Sequence, residues 1–318
     1  MAPTPDPPDP DADESSRFGF DDIAHPEFLP DPTLSHAEME SLQRELAATA
    51  TFADDHGIDP AAVAIDEPAD LTDGPPDARQ ETLPGTDADS DAGDPDAPVV
   101  VGLDQAFLTP DDGEDRAVSA AVAIRDGDVI EHASATTPLS IPYIPGLLAF
   151  REGEPMLAAL DALGVEPDLL VCDGSGRIHF RAAGVATHVG VLLDVPSVGV
   201  AKSLLCGVPD EPTDGRPEGW RTPVRADDSV ETAVVDGDAS GGDTADGDAP
   251  AAPVIGHAYQ SRQYPNSRRV NPLYVSPGHR VSPATTVDLV EALCAGYKLP
   301  EPTRIADAYA DAAKRDAS

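Results

Sequence analysis

The chain has 318 residues, of which 40% are hydrophobic and only 4% aromatic, and it carries a formal net charge of −39 at pH 7. No apolar run is long enough to span a bilayer, and the N-terminal MAPTPDPPDPDADESS has neither the basic nor the apolar region of a signal peptide, so no membrane partner and a soluble, cytoplasmic protein are expected. Cys172, Cys206 and Cys294 lie far apart in apolar stretches without metal-ligand spacing; they read as reduced, buried thiols rather than as a disulfide or zinc framework.

The charge is uneven. Residues 1–98 hold 26 acids against 3 basic residues, residues 207–253 hold 12 against 3, and Lys occurs only at 202, 298 and 314. This Asp-rich bias resembles proteins of very salty cytoplasm. At about 1 M salt the Debye length is about 3 Å, so the net charge does not exclude a nucleic-acid partner.

In chain order, residues 1–34 are Pro- and Asp-rich and read as disordered. Residues 35–57 read as a helix capped by Ser35 and stopped near Gly57, and 58–97 as a linker, so that 1–97 forms an acidic low-complexity extension. From 98, PVVVGLDQAFL and two further strand-like runs around the Asp126-Gly127 turn predict three antiparallel strands in meander order. Residues 146–163 predict a helix in which Pro155 marks a break or the first turn of a second helix. PDLLVCDGSG reads as a short buried strand, AAGVATHVGVLLD as a helix and PSVGVAKS as another strand, before an acidic insert over 208–253. VIGHAYQSR and NPLYVSPGHR resume strand character, and Ser282-Pro283 opens a helix that Gly296 stops. The pattern predicts an α/β catalytic domain on a mixed sheet over 98–307 and a tail at 308–318.

Two acids end up on separate strands: Asp104 within VVVGLDQAF and Asp173 at the end of LLVCD. Buried carboxylates are costly unless paired, so the two suggest a shared cation, with Glu152 as a third candidate; each acid alone reads sooner as a surface or capping group, and it is the coincidence of two on separate strands that brings the cation reading level with it. Oxygen ligands favour Mg²⁺ or Mn²⁺ over zinc. His179, Arg181, Lys202, His279 and Arg280 are basic groups at turns and strand ends, Arg262, Arg268 and Arg269 precede a strand, and eight of the 20 Lys and Arg residues fall in 254–318. His188, inside an apolar helix, reads as a core histidine. Acids on a sheet with bases around them point to metal-assisted chemistry on phosphate esters.

The stretches PYIPGLLAFRE (142–152), PDLLVCDGSGRIHFR (167–181), GVATHVGVLLDVPSVGVAKSLLCG (184–207), NPLYVSPGHRVS (271–282) and GYKLPEPTRIAD (296–307) resemble the endonuclease V family. The resemblance implies a ribonuclease H-like fold with Mg²⁺ at an acidic centre, Mn²⁺ substituting, and nicking of DNA at the second phosphodiester bond 3′ to deoxyinosine, leaving 3′-hydroxyl and 5′-phosphate ends. Inosine-containing RNA is the alternative substrate, a lesion-binding protein that does not cut is a further alternative, and a monomer is expected. The resemblance further implies that Asp104 and Asp173 hold metal, that Glu152 is a third catalytic carboxylate, that Lys202 serves the scissile phosphate, and that His279 sits at the metal-water side. It makes Tyr143, between Pro142 and Ile144-Pro145, a wedge; gives Gly174 and Gly176 a bare backbone that approaches a flipped base; and places His179 and Arg181 at the substrate. Ser175 and Phe180 depart from the family pattern, and the long acidic extension and insert are additions to it.

Overall fold

The computed structural model describes residues 23–78, 94, 96–110, 113–231 and 252–317. Its centre is a nine-stranded sheet of order β3-β2-β1-β4-β5-β9-β8-β7-β6. The expected meander is there: β1 (Val100–Leu108), β2 (Arg116–Arg125) and β3 (Asp128–Pro138) pair antiparallel around the Asp126-Gly127 turn. Asp126 at φ 50° and Gly127 at φ 81° supply the left-handed pair that such a hairpin turn needs. β4 (Leu169–Asp173) then lies parallel to β1, and β5 (Ser197–Ala201) parallel to β4. The antiparallel set β9 (Leu273–His279), β8 (Val254–Tyr259), β7 (Arg221–Arg225) and β6 (Val208–Pro209) completes the sheet.

Both faces are covered, which is why the central strands β1, β4 and β5 are mostly apolar on both faces and turn polar toward their site ends, at Asp104, Gln105 and Asp173. Val101, Leu103, Leu170 and Cys172 point to one layer, which holds α1 (His36–Thr49), α2 (Leu148–Asp161) and α3 (Val185–Leu193). Val100, Leu169, Val171 and Val198 point to the other, under α4 (Pro283–Ala292) and α5 (Glu301–Asp316). α2 continues through Pro155 without a break. Its ring lies in the buried set, and the missing N–H costs the one bond that would go to residue 151. α4 is capped by Ser282 Oγ, which accepts from Thr285 N at 3.2 Å.

Several expectations for the acidic regions are corrected. α1 has the expected Ser35 cap, with a full capping box to Glu38, but it stops at Thr49 because Ala50 turns extended and Thr51 is drawn into backbone bonding with Arg280. The stretch read as disordered contributes buried Ile23, Phe28 and Leu29 to the core, while residues 1–22 lie outside the described set. The stretch read as a linker is a packed arm as far as 78. Val63 and Ile65 are buried, Ile65 N donates to Ala292 O at 2.9 Å, and Ala69 N to Glu301 Oε2 at 3.0 Å. The insert supplies β6, β7 and the buried side chains of Val224 and Val230; 232–251 lie outside the described residues. The tail belongs to α5, an amphipathic helix that buries Tyr309 and Ala310. Among the described residues no helix is long and apolar enough to cross a membrane.

Candidate active site

Parallel pairing brings the two strand acids together. Leu103 sits opposite Cys172, so Asp104 and Asp173 follow on the next rung, and Asp173 in turn sits opposite Val200, two residues before Lys202. Asp104 is 5% exposed. Its Oδ1 accepts from Gln105 N at 2.6 Å, and its Oδ2 is buried without a hydrogen-bond partner. Burial, and then repulsion from Asp173, push its carboxyl up to about 8 against the pull of the Gln105 N–H and Lys202. Glu152, on the first turns of α2, is pushed up to about 7, by burial first and also by Asp173, with Arg151 opposing. Gln105 Nε2 donates to Glu152 O at 2.7 Å and ties this part of α2 to the strand that bears Asp104. Lys202 Nζ donates to Asp173 Oδ2 at 2.8 Å. Burial lowers the Lys202 pKa, but its bond to Asp173 and the fields of Asp104 and Asp307 outweigh this and leave it raised.

An orphaned, buried carboxylate oxygen beside a second carboxylate fits a hard divalent cation. Among the described residues no three metal-ligating side chains converge on one point. Two carboxylates, with the remaining positions left to water and substrate phosphate, are a common arrangement for such a cation. Asp307 was not anticipated. It projects from α5, the helix that packs across β1, and its charge acts on both Asp104 and Lys202. The stretch ending TRIAD was part of the family resemblance, so its terminal acid was the signal for a residue facing the centre.

The tyrosine tip stands at the same end of the sheet, where β3 finishes. Tyr143 is 68% exposed, which removes a buried-plug role. The tip's two feet, Ile141 and Leu147, are buried in a small cluster with Met39 and Phe150, and Ile144 packs against it half-buried while Pro142 is exposed. Arg151 Nη1 holds Ile141 O at 2.8 Å, and Leu147 N donates to Ile144 O at 3.0 Å. The aromatic ring is thus presented on an anchored base.

Other assignments change. His279 lies opposite Ser197, at the start of β5, whereas Asp173 and Lys202 are at its far end. Three residues of strand separate it from the level of Asp173 and five from Lys202, about 10 and 16 Å. Its Nε2 meets Asp194 Oδ1 at 3.0 Å and its Nδ1 accepts from Thr51 N at 3.2 Å, so it locks the N-terminal arm and does not sit at the carboxylates. Arg181 is largely buried and committed within the protein: it donates to Glu40, to Gln43 Oε1 at 3.0 Å and to Gly146 O at 3.4 Å, and pairs with Glu231 at 3.4 Å. It braces the tip and is not left free for substrate. His179 is 4% exposed and held well down, at about 4, by burial, so it stays neutral under that brace. The glycines serve internal packing. A Cβ on Gly174, at φ 146°, would meet Val185 Cγ1 at 2.5 Å, and one on Gly176 would meet Pro277 O at 2.2 Å. His188 is the expected core histidine, with Nε2 2.7 Å from Phe28 O and its ring edge-on to Phe150.

Comparison with known proteins agrees with this geometry. A family model described as Endonuclease V matches residues 86–308. Endonuclease V of Halobacterium salinarum is 54% identical over 291 residues, covering 91% of this chain and 98% of that one. The crystal structure of endonuclease V from Streptomyces avermitilis superposes with a TM-score of 0.59 at 31% identity, covering 89% of this chain and 95% of that one. Endonuclease V of Ciona intestinalis, solved in complex with a 24mer DNA containing an inosine followed by a ribo-adenosine, has the same fold, with a TM-score of 0.55, 24% identity and coverage of 89% and 98%. Fold and carboxylate centre together define a metal-dependent nuclease with a ribonuclease H-like sheet. Within that class the chain belongs to the endonuclease V family.

Proposed function

We propose that this nuclease nicks DNA at the second phosphodiester bond on the 3′ side of deoxyinosine, leaving 3′-hydroxyl and 5′-phosphate ends, with Mg²⁺ as its cation and Mn²⁺ able to replace it. The observation that carries the reading is the partnerless Asp104 Oδ2 beside Asp173, at the same end of the sheet as a tyrosine raised on a buried footing. The inosine-bearing DNA in the Ciona relative's structure supports the choice of lesion.

Asp104 and Asp173 would hold the cation, which when bound activates water and offsets phosphate charge. Lys202, kept protonated by Asp173, Asp104 and Asp307, offers its N–H groups to the scissile phosphate, where negative charge grows in the transition state. Glu152, poised near 7, can accept or return a proton at neutral pH. Tyr143 enters the base stack where a nucleotide has swung out. A weakly paired base such as hypoxanthine costs less to extrude, so selection begins before any contact with its edge.

The test compares matched strands containing deoxyinosine, inosine in RNA, or plain adenosine, at high KCl with Mg²⁺, with Mn²⁺ and with EDTA. A nick mapped two phosphodiesters 3′ of deoxyinosine and lost in EDTA is expected. Equal cutting of the plain strand, or cutting in EDTA, would overturn the reading.

A further inference from the structure

The strand order fixes what a nucleic-acid strand would meet along one rim of the sheet. β3 ends at Pro138, opposite Arg116, whose other neighbour is Leu108 at the end of β1, so the tyrosine tip stands on one flank of the carboxylates. On the other flank, beyond Lys202, Ala201 faces Tyr274 at the start of β9, and Leu273 faces Tyr259 at the end of β8. The connection 260–272 therefore opens on the same rim, one or two strand spacings past Lys202, about 5–10 Å.

This connection and the residues beside it are basic and aromatic. Arg268 and Arg269 are exposed, Tyr264 is 51% exposed and Tyr297 is 45% exposed. Arg262 lies over both tyrosine rings, 6.0 Å from that of Tyr264 and 5.5 Å from that of Tyr297. Ser261 Oγ donates to Lys298 O at 2.5 Å and joins the two segments. Burial first, and then the charge of Lys202, hold Lys298 below the usual lysine value. The chain has 59 acids against 20 bases, and among the described residues Arg44, Arg221, Arg225 and Arg304 are each held in an ion pair. Among the described residues, Arg262, Arg268, Arg269 and Lys298 have no carboxylate at ion-pair distance.

The connection is also fixed in shape. Gln260 Nε2 donates to Arg262 O and Val270 O at 2.7 and 3.0 Å, Gln263 Oε1 accepts from Val270 N at 3.1 Å, and Arg268 Nη1 donates to Gly215 O at 3.0 Å. A preformed surface of cations without carboxylate partners, in an acid-rich protein, suits a ligand that brings its own negative charge at regular intervals.

We propose that this rim is a polynucleotide track that holds the phosphates on the 3′ side of the nick. The direction rests on the function proposed above: with the lesion engaged by the tip, and the cut 3′ of it, the strand continues past Lys202 toward Arg268 and Arg269. One strand of a duplex places a phosphate every 3.4 Å or so of axis, so about 10 Å accommodates roughly two to three of them. Tyr264, 51% exposed, offers a face on which a base can stack where that strand is unpaired, while the Tyr297 ring is taken up by Arg304 and Arg262.

The test measures binding of a deoxyinosine duplex, without divalent cation, across a KCl titration. The proteins are the wild type, Arg269→Ser, Arg268→Ser/Arg269→Ser and the charge-retaining Arg268→Lys/Arg269→Lys. The slope of log K against log salt should fall by about one for the single serine variant and about two for the double, and stay near wild type for the lysine variant. Ending the nicked strand one nucleotide 3′ of the cut should weaken the wild type and cost the double serine variant little more. Truncation 5′ of the lesion should weaken all alike. An unchanged slope, or a 3′ truncation that costs the serine variant as much as the wild type, overturns the track. Lesion-dependent nicking by the wild type in Mg²⁺ is scored separately; its absence overturns the proposed function, whereas the binding result decides the track.

Discussion

The Arg181 guanidinium donates to the backbone oxygen of Gly146, at the foot of the tyrosine tip, from 3.4 Å, while the same group holds Glu40 and Gln43 of α1 and pairs with Glu231. The tip is therefore clamped to the N-terminal arm and to the acidic insert through one side chain. Arg181→Ala should loosen the tip and weaken binding of inosine-containing DNA about tenfold, with divalent-cation affinity unchanged. Arg181→Lys cannot span the same partners with its single ammonium and should recover part of the loss. Binding titrations of the DNA and of the metal, run side by side, check both; equal loss of the two would show a general unfolding instead.

Asp104→Asn should separate stability from catalysis. In the metal-free protein Asp104 keeps its proton up to about 8 and Glu152 up to about 7, whereas unfolded carboxylates lose theirs near 4. The folded form thus binds more protons across that window, so the stability these groups contribute is full below about pH 4 and is lost as pH rises toward 8. The asparagine variant lacks the Asp104 share of this loss. In EDTA its Tm should exceed that of the wild type by roughly 2–6 °C at pH 8, with the gap closing at pH 5. Nicking should be abolished. Added Mg²⁺ should raise the wild-type Tm at pH 8 and leave the variant nearly unmoved.

Tyr143→Ala removes an exposed ring that lies outside the buried cluster of Ile141, Leu147, Met39 and Phe150. Surface changes of this kind stay within about 0.5 kcal/mol. The melting curve should be unchanged, while binding should lose its preference for deoxyinosine over adenosine. A preserved preference would assign the tip to shape alone.

Gly176→Ala distinguishes packing from base recognition. The added methyl would lie 2.2 Å from Pro277 O and 3.0 Å from Gly278 N, both backbone atoms that cannot rotate away. Destabilisation of about 3 kcal/mol or more is expected, read as a loss of soluble protein or a fall in Tm. A stable variant with altered lesion preference would return this glycine to the substrate.

The catalytic core was legible because its signals are local and repeated. Apolar runs with an acid at a fixed place gave β1 and β4, the Asp126-Gly127 turn gave the meander, and Ser282-Pro283 gave the start of α4. The arm was illegible for the opposite reason. Ile23, Phe28, Leu29, Val63 and Ile65 are single apolar residues among acids and prolines, with no period to announce burial. β7 was hidden in RTPVR, whose proline argues against a strand. At the site, Asp104 and Asp173 fall on neighbouring strands at one level, as their strand positions implied, Lys202 bonds to Asp173, and Glu152 on α2 is tied to the strand of Asp104 only through its backbone oxygen and Gln105. His279 and Arg181 did not join them, because a basic side chain beside a turn looks the same whether it faces substrate or a carboxylate 85 or 141 residues away.

The arm's partners also set an order of assembly. Asp54 caps α4 through Ser282 N at 2.8 Å and Thr285 Oγ1 at 2.7 Å, Thr51 bonds with Arg280, and Ala69 bonds with Glu301. Each contact joins chain segments more than two hundred residues apart. A nascent chain emerging N-terminus first holds these segments long before their partners exist, and closing such loops is entropically slow. The arm therefore cannot close its contacts until residues 280–301 have been made, and in the finished nuclease it fastens residues 51–69 to them.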